Sequence, residues 1–326
     1  MILVTGGCGY IGSHTLIELY ENNIPFISID DLRRSSQTQV DNISKLIPNF
    51  TNHKIDVCDL DSLEQLFIDN EITGVIHFAA YKSVDESVKN PLLYYDNNIN
   101  SLLNLLKCCD KFNVKDFIFS SSCSVYGNLK ELPVTEESPL SKAESPYGNT
   151  KQICEEILTD YSKKSNMNIV ILRYFNPVGC HDSGLIGDQH RESVINMICK
   201  SYSENKVFNI YGNDYETKDG TCIRDYIHVS DLASAHVSSL THLKNKSNQF
   251  DIFNIGTGSG LSVLELLVNF EKYNNIKIHY QFNSRRPGDV EAIWANVDKI
   301  SKTGWTCKRS IKDMVTSTWQ YFKSFE

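Results

Sequence analysis

No stretch of this 326-residue chain approaches the roughly 20 consecutive apolar residues that a membrane-spanning helix needs. None of its ten cysteines sits in a C-x-x-C, and Cys108 and Cys109 are adjacent rather than at ligand spacing. That excludes the common zinc and dithiol frameworks, and no metal site is expected. Basic charge is short as well. The net charge of -8 provides no broad field for nucleic acid or an anionic lipid surface, so neither is an expected partner. An anionic substrate must then be met by a few placed arginines. Repeats and low-complexity linkers are missing too. So many unpaired thiols fit a reducing compartment. The chain opens Met1-Ile2-Leu3-Val4-Thr5-Gly6, straight into a strand with no basic leader, and a cytoplasmic location is expected.

What is present is alternation. Short apolar runs at Ile2–Thr5, Phe26–Ile29, Lys54–Val57, Gly74–Phe78, Phe117–Ser121 and Ile169–Tyr174 read as strands. Between them, Gly12–Glu21, Asp59–Phe67, Pro91–Cys109 and Pro146–Lys164 read as helices, with Asp59 or Asp61 as an N-cap. This order predicts an α/β fold built on βαβ units, a Rossmann-like doubly wound parallel sheet. Past Pro177 the pattern loosens. Helices are expected near Ser193–Tyr202, Ser230–His242, Ser262–Tyr273 and Ser310–Phe322, with a strand near Cys222–Val229. The expected division is a nucleotide-binding domain over 1–176 and a smaller C-terminal α/β substrate-binding lobe over 177–326, with a soft boundary because late strands can return to the first sheet.

Gly6-Gly7-Cys8-Gly9-Tyr10-Ile11-Gly12 follows the first strand and opens a helix. Glycines at 6, 9 and 12 permit a tight turn and close approach of backbone N–H groups to a pyrophosphate at a helix N-terminus. A lone glycine motif is weak, but the context here supplies the rest. Asp30 ends the second strand 18 residues after Gly12, where a carboxylate accepts from ribose hydroxyls and repels a 2′-phosphate. NAD is therefore the expected cofactor, although Arg33 and Arg34 follow closely.

Tyr-x-x-x-Lys places both side chains on one helix face, and the sequence has three such pairs: Tyr147/Lys151, Tyr202/Lys206 and Tyr273/Lys277. Only the first lies in the dinucleotide half and follows a strand ending in hydroxyls, Ser120-Ser121-Ser122, with Ser122 25 residues upstream of Tyr147. A phenol of pKa ~10 is a poor base at neutral pH, so a nearby ammonium and a positive nicotinamide ring are wanted to lower it. Lys151 would also hold the nicotinamide ribose, and Ser122 would hydrogen-bond the reacting oxygen. The plainer reading of Ser122 is a turn or capping serine.

With these residues in place, the chain resembles the extended short-chain dehydrogenase/reductase family over nearly its whole length, and within it the UDP-glucose 4-epimerase family. The stretches that carry the resemblance are Val4 to His14, Val75 to Ala80, Tyr94 to Asn98, Phe119 to Gly127, Ser145 to Lys151, Leu172 to Gly179, Tyr211 to Tyr215, Asp219 to Thr221, Arg224 to Val229 and Arg285 to Asp289. The resemblance implies that Tyr10 and Ile11 follow the pyrophosphate, that Asp30, Asp31, Leu32 and Ser35 bind the adenosine side, and that Asp56 and Val57 flank the adenine. It implies that Phe78, Ala79, Ala80, Lys82, Asn97, Ser120, Tyr174 and Phe175 line the cofactor groove. For the substrate it implies Ser122, Ser124, Tyr147, Phe175, Asn176, Tyr211, Arg224, Arg286, Asp289 and Ile293, the arginines matching a diphosphate. The implied activity is interconversion of UDP-glucose and UDP-galactose through a 4-keto intermediate, with NAD retained, in a homodimer built on the helices around Pro91–Cys109 and Pro146–Lys164.

Related sugar-nucleotide dehydratases carry Thr-Asp-Glu where this chain has Ser122, Cys123 and Ser124, and decarboxylases of the family carry Glu in the slot of Ser124. Without those acids, elimination lacks its acid–base pair. A non-catalytic NAD-binding sensor on the same fold is the alternative from another class, but the tyrosine, lysine and serine are all retained. Three departures from the epimerase pattern stand out. Cys8 replaces a serine, Asp31 replaces an asparagine, and Arg191-Glu192-Ser193-Val194-Ile195 occupies the region of a usual Pro-Asn-Asn-Leu-Met-Pro segment. Ile293, intermediate in size at the position that sets room near the hexose C2, leads us to expect weak activity on the N-acetylated UDP-sugars.

Overall fold

The computed structural model describes every residue except Arg191, Asn245, Pro287, Gly288, Phe325 and Glu326. The chain divides into two compact units. Unit 1 comprises Met1–Gly127, Pro139–Tyr174 and Ala233–Phe253, and unit 2 comprises Asn128–Ser138, Phe175–Leu232 and Asn254–Glu326.

In chain order the elements of the first half are β1 (Ile2–Thr5), α1 (Tyr10–Glu21), β2 (Phe26–Ile29), α2 (Gln37–Leu46), β3 (Asn52–His53), α3 (Leu60–Asp69), β4 (Gly74–His77), α4 (Val84–Lys89), α5 (Pro91–Lys111), β5 (Asp116–Ser122), α6 (Pro146–Ser162) and β6 (Asn168–Tyr174). Then follow β7 (Asn176–Val178), α7 (Val194–Ser203), β8 (Phe208–Tyr211), β9 (Ile223–Arg224), β10 (Tyr226–His228), α8 (Val229–Leu243) and β11 (Phe250–Ile255). The last are β12 (Leu261–Ser262), α9 (Val263–Asn274), β13 (Tyr280–Asn283), β14 (Ala292–Ile293), α10 (Asp298–Ser301) and α11 (Ile311–Lys323).

The main sheet has seven strands in the order β11-β6-β5-β4-β1-β2-β3. The pairings from β3 to β6 run parallel. This is the doubly wound sheet that the alternating pattern predicts. Its central strands β1 and β4, Ile2–Thr5 and Gly74–His77, are buried throughout, which is why they read as continuous apolar runs. The long helix α5 buries Tyr94, Asn98, Leu102, Leu105 and Cys109, a spacing of four, four, three and four that keeps one stripe on the core. Leu105 and Leu106 join Leu3, Val75, Phe117 and Phe119 in one cluster. Each such leucine contributes roughly 1.5–3 kcal/mol by leaving water.

Two strand expectations are corrected. The third strand is Asn52–His53, not Lys54–Val57. Asn52 is fixed there because its side chain takes the Ser28 hydroxyl and donates to the Asp30 carbonyl, while Val57 goes into the core without pairing. The run Cys222–Val229 is not one strand but two in different sheets, β9 beside β12 and β14, and β10 beside β7. Asp225 divides them. Its buried carboxylate accepts from the backbone N–H groups of Thr257, Gly258 and Ala295 and from the Thr257 hydroxyl. Unit 2 has its own core of Ile195, Ile198, Phe208, Leu266, Leu267, Phe270, Met314 and Val315.

Candidate active site

Within unit 1 the glycine turn joins β1 to α1. Gly9 is the N-cap of α1, no side chain caps the helix, and the first turn carries no acid. That leaves its amide end fit for an anion. Gly12 admits no side chain, since a Cβ there would stand 2.2 Å from the Gly6 carbonyl oxygen. Gly6 has φ +67°, and its Cβ would stand 2.8 Å from the Ala79 nitrogen. The Asp30 carboxylate is set by the same turn, accepting from the Cys8 N–H at 3.1 Å, the Leu32 N–H at 2.9 Å and the Ser35 hydroxyl at 2.8 Å. Burial raises its pKa while those three bonds pull it down. Arg33 is not loose in solvent, because it bridges Asp31 at 2.5 Å and Asp56 at 2.7 Å. Arg34 pairs with Glu86 and lies over the Tyr81 ring. An Arg33 committed to two carboxylates is poorly placed to take a 2′-phosphate as well. These residues fit NAD.

Further along, Val57 is buried, and Asp56 accepts from the Cys58 N–H. The Phe78 ring packs on His236 at 4.6 Å, the Ala79 N–H donates to the Thr5 hydroxyl, and Ala80 is half-buried. The Lys82 ammonium sits 5.7 Å from the Tyr10 ring centre, and Asn97 donates to Asn98. Ile11 lies in the first turn of α1.

The catalytic candidates meet where α6 runs beside β5. Ser145 caps α6, accepting from the Gly148 N–H, with Pro146 in the first turn. Tyr147 therefore sits in the first turn and Lys151 one turn on. The Lys151 ammonium donates to the Ser120 carbonyl at 2.7 Å and lies 6.0 Å from the Tyr147 ring centre and 4.8 Å from that of Phe119. Burial draws its pKa down to about 8. Burial lifts the Tyr147 phenol to about 12, against a lowering hydrogen bond with Ser122. In the protein alone desolvation thus outweighs that bond. Ser122 fills the plainer of the two roles weighed for it, that of a capping serine. Besides its bond to Tyr147, its hydroxyl caps the short 3-10 turn Cys123–Tyr126, accepting from the Ser124 N–H at 3.2 Å and hydroxyl at 3.0 Å. Ser120 and Tyr174 share a hydroxyl–hydroxyl bond.

Unit 2 carries the candidates for the nucleotide of the substrate. Arg224 does not pair with Asp225; its guanidinium donates to the Ile223 carbonyl at 2.9 Å. Arg286 lies over the Tyr211 ring at 4.9 Å and donates to Asp289 at 3.0 Å. Ile293 is buried in β14, in register with Arg224. Phe175 is buried, and the Asn176 N–H donates to the Asp225 carbonyl. The Asn176 side-chain oxygen and the Tyr215 hydroxyl are buried without a hydrogen-bond partner among the described residues. An acceptor and a hydroxyl left so fit a polar ligand. The Tyr215 pKa is raised by burial, with Asp289 and Arg224 also acting on it. Pro287 and Gly288 of the Arg-Arg-Pro-Gly-Asp motif, and Arg191 of the altered segment, fall outside the described residues. After that segment Ser193 stands at the N-cap position of α7 without a side-chain cap bond, and Asn196 on α7 donates to Asp188.

A family model described as GDP-mannose 4,6 dehydratase matches residues 3–318. A UDP-glucose 4-epimerase of Cyamopsis tetragonoloba is 42% identical over 98% of this chain and 94% of its own length. The crystal structure of UDP-glucose 4-epimerase from Bifidobacterium longum in complex with NAD+ and UDP superposes with a TM-score of 0.93 at 42% identity, covering 99% of this chain and 98% of that one. The chain belongs to the UDP-glucose 4-epimerase family. A second solved member, from Stenotrophomonas maltophila with bound NAD and formylated UDP-arabinopyranose, has a TM-score of 0.95 at 37% identity, covering 99% of this chain and 98% of that one. The broader model takes its description from a dehydratase. In this epimerase-family chain, however, the slots of the dehydratase acids hold Cys123 and Ser124.

Several supporting residues of this family member escape sequence reasoning. Asn98 is buried, exchanging bonds with the Tyr81 backbone and donating to Thr150 on α6. His236 reaches Phe78 and Tyr174 from the distant segment α8. Asn98 ends the Tyr94–Asn98 stretch, of which only Asn97 is given a role from sequence, and His236 lies in no motif. The one available cue is an amide or imidazole set within an apolar helix pattern.

Proposed function

We propose that this chain is an NAD-dependent UDP-glucose 4-epimerase that interconverts UDP-glucose and UDP-galactose. The observation that carries the reading is the meeting of Ser122, Tyr147 and Lys151 in the same unit as a glycine turn fitted to a dinucleotide, in a chain without the elimination acids. NAD, when bound, supplies the redox half of the cycle by taking up and giving back the hydrogen of the sugar C4. The chain's own residues do the rest. Tyr147 accepts the proton of the 4′-hydroxyl as that carbon is oxidised and returns it when the ketone is reduced from its other face. Ser122 hydrogen-bonds the reacting oxygen. Lys151 holds the nicotinamide ribose and supplies a positive charge to the phenolate. Asn176, Tyr211, Arg224 and Arg286 hold the UDP portion, so the keto sugar turns without leaving. Gly6, Gly9, Gly12 and Asp30 hold the dinucleotide. The domain roles follow, with 1–176 holding cofactor and catalytic groups and 177–326 mainly the UDP-sugar.

Two further parts of the proposal concern the state of the protein. It works in the cytoplasm, where its ten free thiols stay reduced; no helix among the described residues is long and apolar enough to cross a membrane. It works as a homodimer through α5 and α6, and sedimentation as a monomer at micromolar concentration would remove that part.

The test is incubation of purified protein with UDP-galactose and no added NAD, with UDP-glucose followed by proton NMR. Conversion supports both the activity and retention of the cofactor. Failure even with added NAD would overturn the reading.

A further inference from the structure

The catalytic face of α6 continues one turn past Lys151 to Glu155. Glu155 and Arg173 form an ion pair with both side chains only 4% exposed. Arg173 Nε donates to both carboxylate oxygens at 3.0 Å, and its Nη2 donates to Oε2 at 2.6 Å. The Ser121 hydroxyl donates to Oε1 at 2.5 Å. Arg173 Nη1 donates to the Tyr126 hydroxyl at 3.1 Å. One cluster therefore ties together α6, β5, the Cys123–Tyr126 turn and β6. Those four segments carry, in the same order, Tyr147 and Lys151, Ser120 and Ser122, Ser124, and Tyr174.

A buried ion pair is a poor source of net stability, because desolvation offsets most of its attraction. Apolar residues of similar volume often hold two elements together as well. What the pair supplies instead is direction. Hydrogen bonds of fixed geometry leave α6 little freedom to slide along β5, and a shift of an ångström in a catalytic pair is costly.

We propose that Glu155, locked by Arg173 and Ser121, is a positioning residue for the Tyr147–Lys151 pair. It fixes the register of α6 against β5 and sets a negative charge one turn from the Lys151 ammonium. The proposal rests on the epimerase reading. The groups facing Lys151 are Tyr147, Cys154 and Glu155 on its own helix, the Ser120 carbonyl and Phe119 ring on β5, and His77 on β4. Burial keeps the Cys154 thiol protonated, its pKa lifted to about 11, and keeps His77 neutral, its pKa drawn down to about 3. Among these neighbours Glu155 brings the carboxylate that Arg173 pairs, and it opposes the loss of charge that burial imposes on Lys151.

The experiment compares wild type, Glu155→Gln, Glu155→Asp and Ser121→Ala in UDP-galactose turnover across about pH 6 to 9.5, with thermal melting of each variant. Glu155→Gln is expected to lower kcat by about tenfold or more, to leave KM within about twofold, and to move the alkaline limb down by about half a unit. Glu155→Asp, charged but short, restores the limb without restoring kcat. Ser121→Ala, which leaves the ion pair intact, lowers kcat by a few-fold at constant KM and carries the test if the Glu155 variants do not fold. Variants that melt earlier but keep wild-type kcat and pH limb would make the cluster merely structural and overturn the inference. A wild type without turnover would remove the epimerase reading and this inference together; an active wild type matched by all three variants removes only the inference.

Discussion

The two units hold their candidate groups in opposite ways. In unit 1 the proposed catalytic side chains are desolvated and tied to their neighbours, Lys151 to the Ser120 carbonyl and Tyr147 to Ser122. In unit 2 the side chains proposed for UDP are mostly polar ends at a partly exposed surface, with Tyr211 and Arg286 exposed and Asn176 and Arg224 half-buried. Tyr211 is 39% exposed, and Arg286 pairs with its near neighbour Asp289 and lies over the Tyr211 ring. Proton transfer needs atoms fixed within a few tenths of an ångström and a tuned pKa, so it uses groups shielded from water and locked by strand ends. Holding a diphosphate needs charge and reach, so it uses arginine forks that stay hydrated until the ligand arrives. The comparison predicts that damage in unit 1 falls on kcat and damage in unit 2 on KM.

The largest effect expected is that of Tyr147→Phe. Removing the hydroxyl that exchanges the proton should cut kcat by about 10²–10⁴-fold. The helix and its Ser145 cap stay in place, so nucleotide extracted from the variant should still be NAD at wild-type occupancy. Loss of NAD together with activity would show that the tyrosine serves binding, and would blur the division between the units.

Arg224→Ala is the matching cut in unit 2. Charge-assisted hydrogen bonds of about 1.5–3 kcal/mol translate into a rise in KM of roughly 10–100-fold, with kcat within a few-fold. Arg286→Ala should do less, because Asp289 already engages that side chain. A kcat loss without a KM change in either variant breaks the comparison. pH offers a gentler probe of unit 1. Lys151, with its pKa drawn by burial to about 8, carries its charge at neutral pH and loses it above that value. Turnover at saturating substrate should therefore fall by several-fold between about pH 7.5 and 9.5 while KM holds. A profile flat through that range would mean that bound ligands restore the lysine to its ordinary range.

How much of this the sequence shows also differs between the units. Five strands of the main sheet, β1, β2, β4, β5 and β6, are legible because burial writes them as apolar runs, and the glycine turn and the Tyr147–Lys151 spacing lie directly on those landmarks; the edge strands β3 and β11 are not, being short or only half-buried. What escaped notice there is polar. The helix Gln37–Leu46 buries only Gln39, Asn42 and Ile43, so it shows little apolar period. Glu155 reads as a solvated helix residue until Arg173, 18 positions away, is seen to hold it. In unit 2 strands of two to four residues are too short to show a period of two. The break at Asp225 depends on backbone donors 32 to 70 residues distant. Arg224 and Arg286 could be singled out through family motifs, but their surroundings could not be read.

Ile293 sets the smallest and sharpest test, because its position mixes the two behaviours. It belongs to unit 2, yet it is 5% exposed and fixed by pairing of β14 with β9, so it acts as a wall rather than a hydrated arm. A wall discriminates by volume, and one methylene is worth about 1–3 kcal/mol at a tight apolar surface. Ile293→Val should raise the ratio of turnover on UDP-GlcNAc to that on UDP-galactose by a few-fold, and a larger side chain should lower it. Ile293→Ala opens more room but removes a buried side chain at a cost of about 2–5 kcal/mol, so its stability loss would mask its specificity. The conservative Val variant, read as a ratio of two substrates on one enzyme preparation, cancels any loss of folded protein. An unchanged ratio in Val and in a larger variant would show that Ile293 packs the unit 2 core and does not border the sugar.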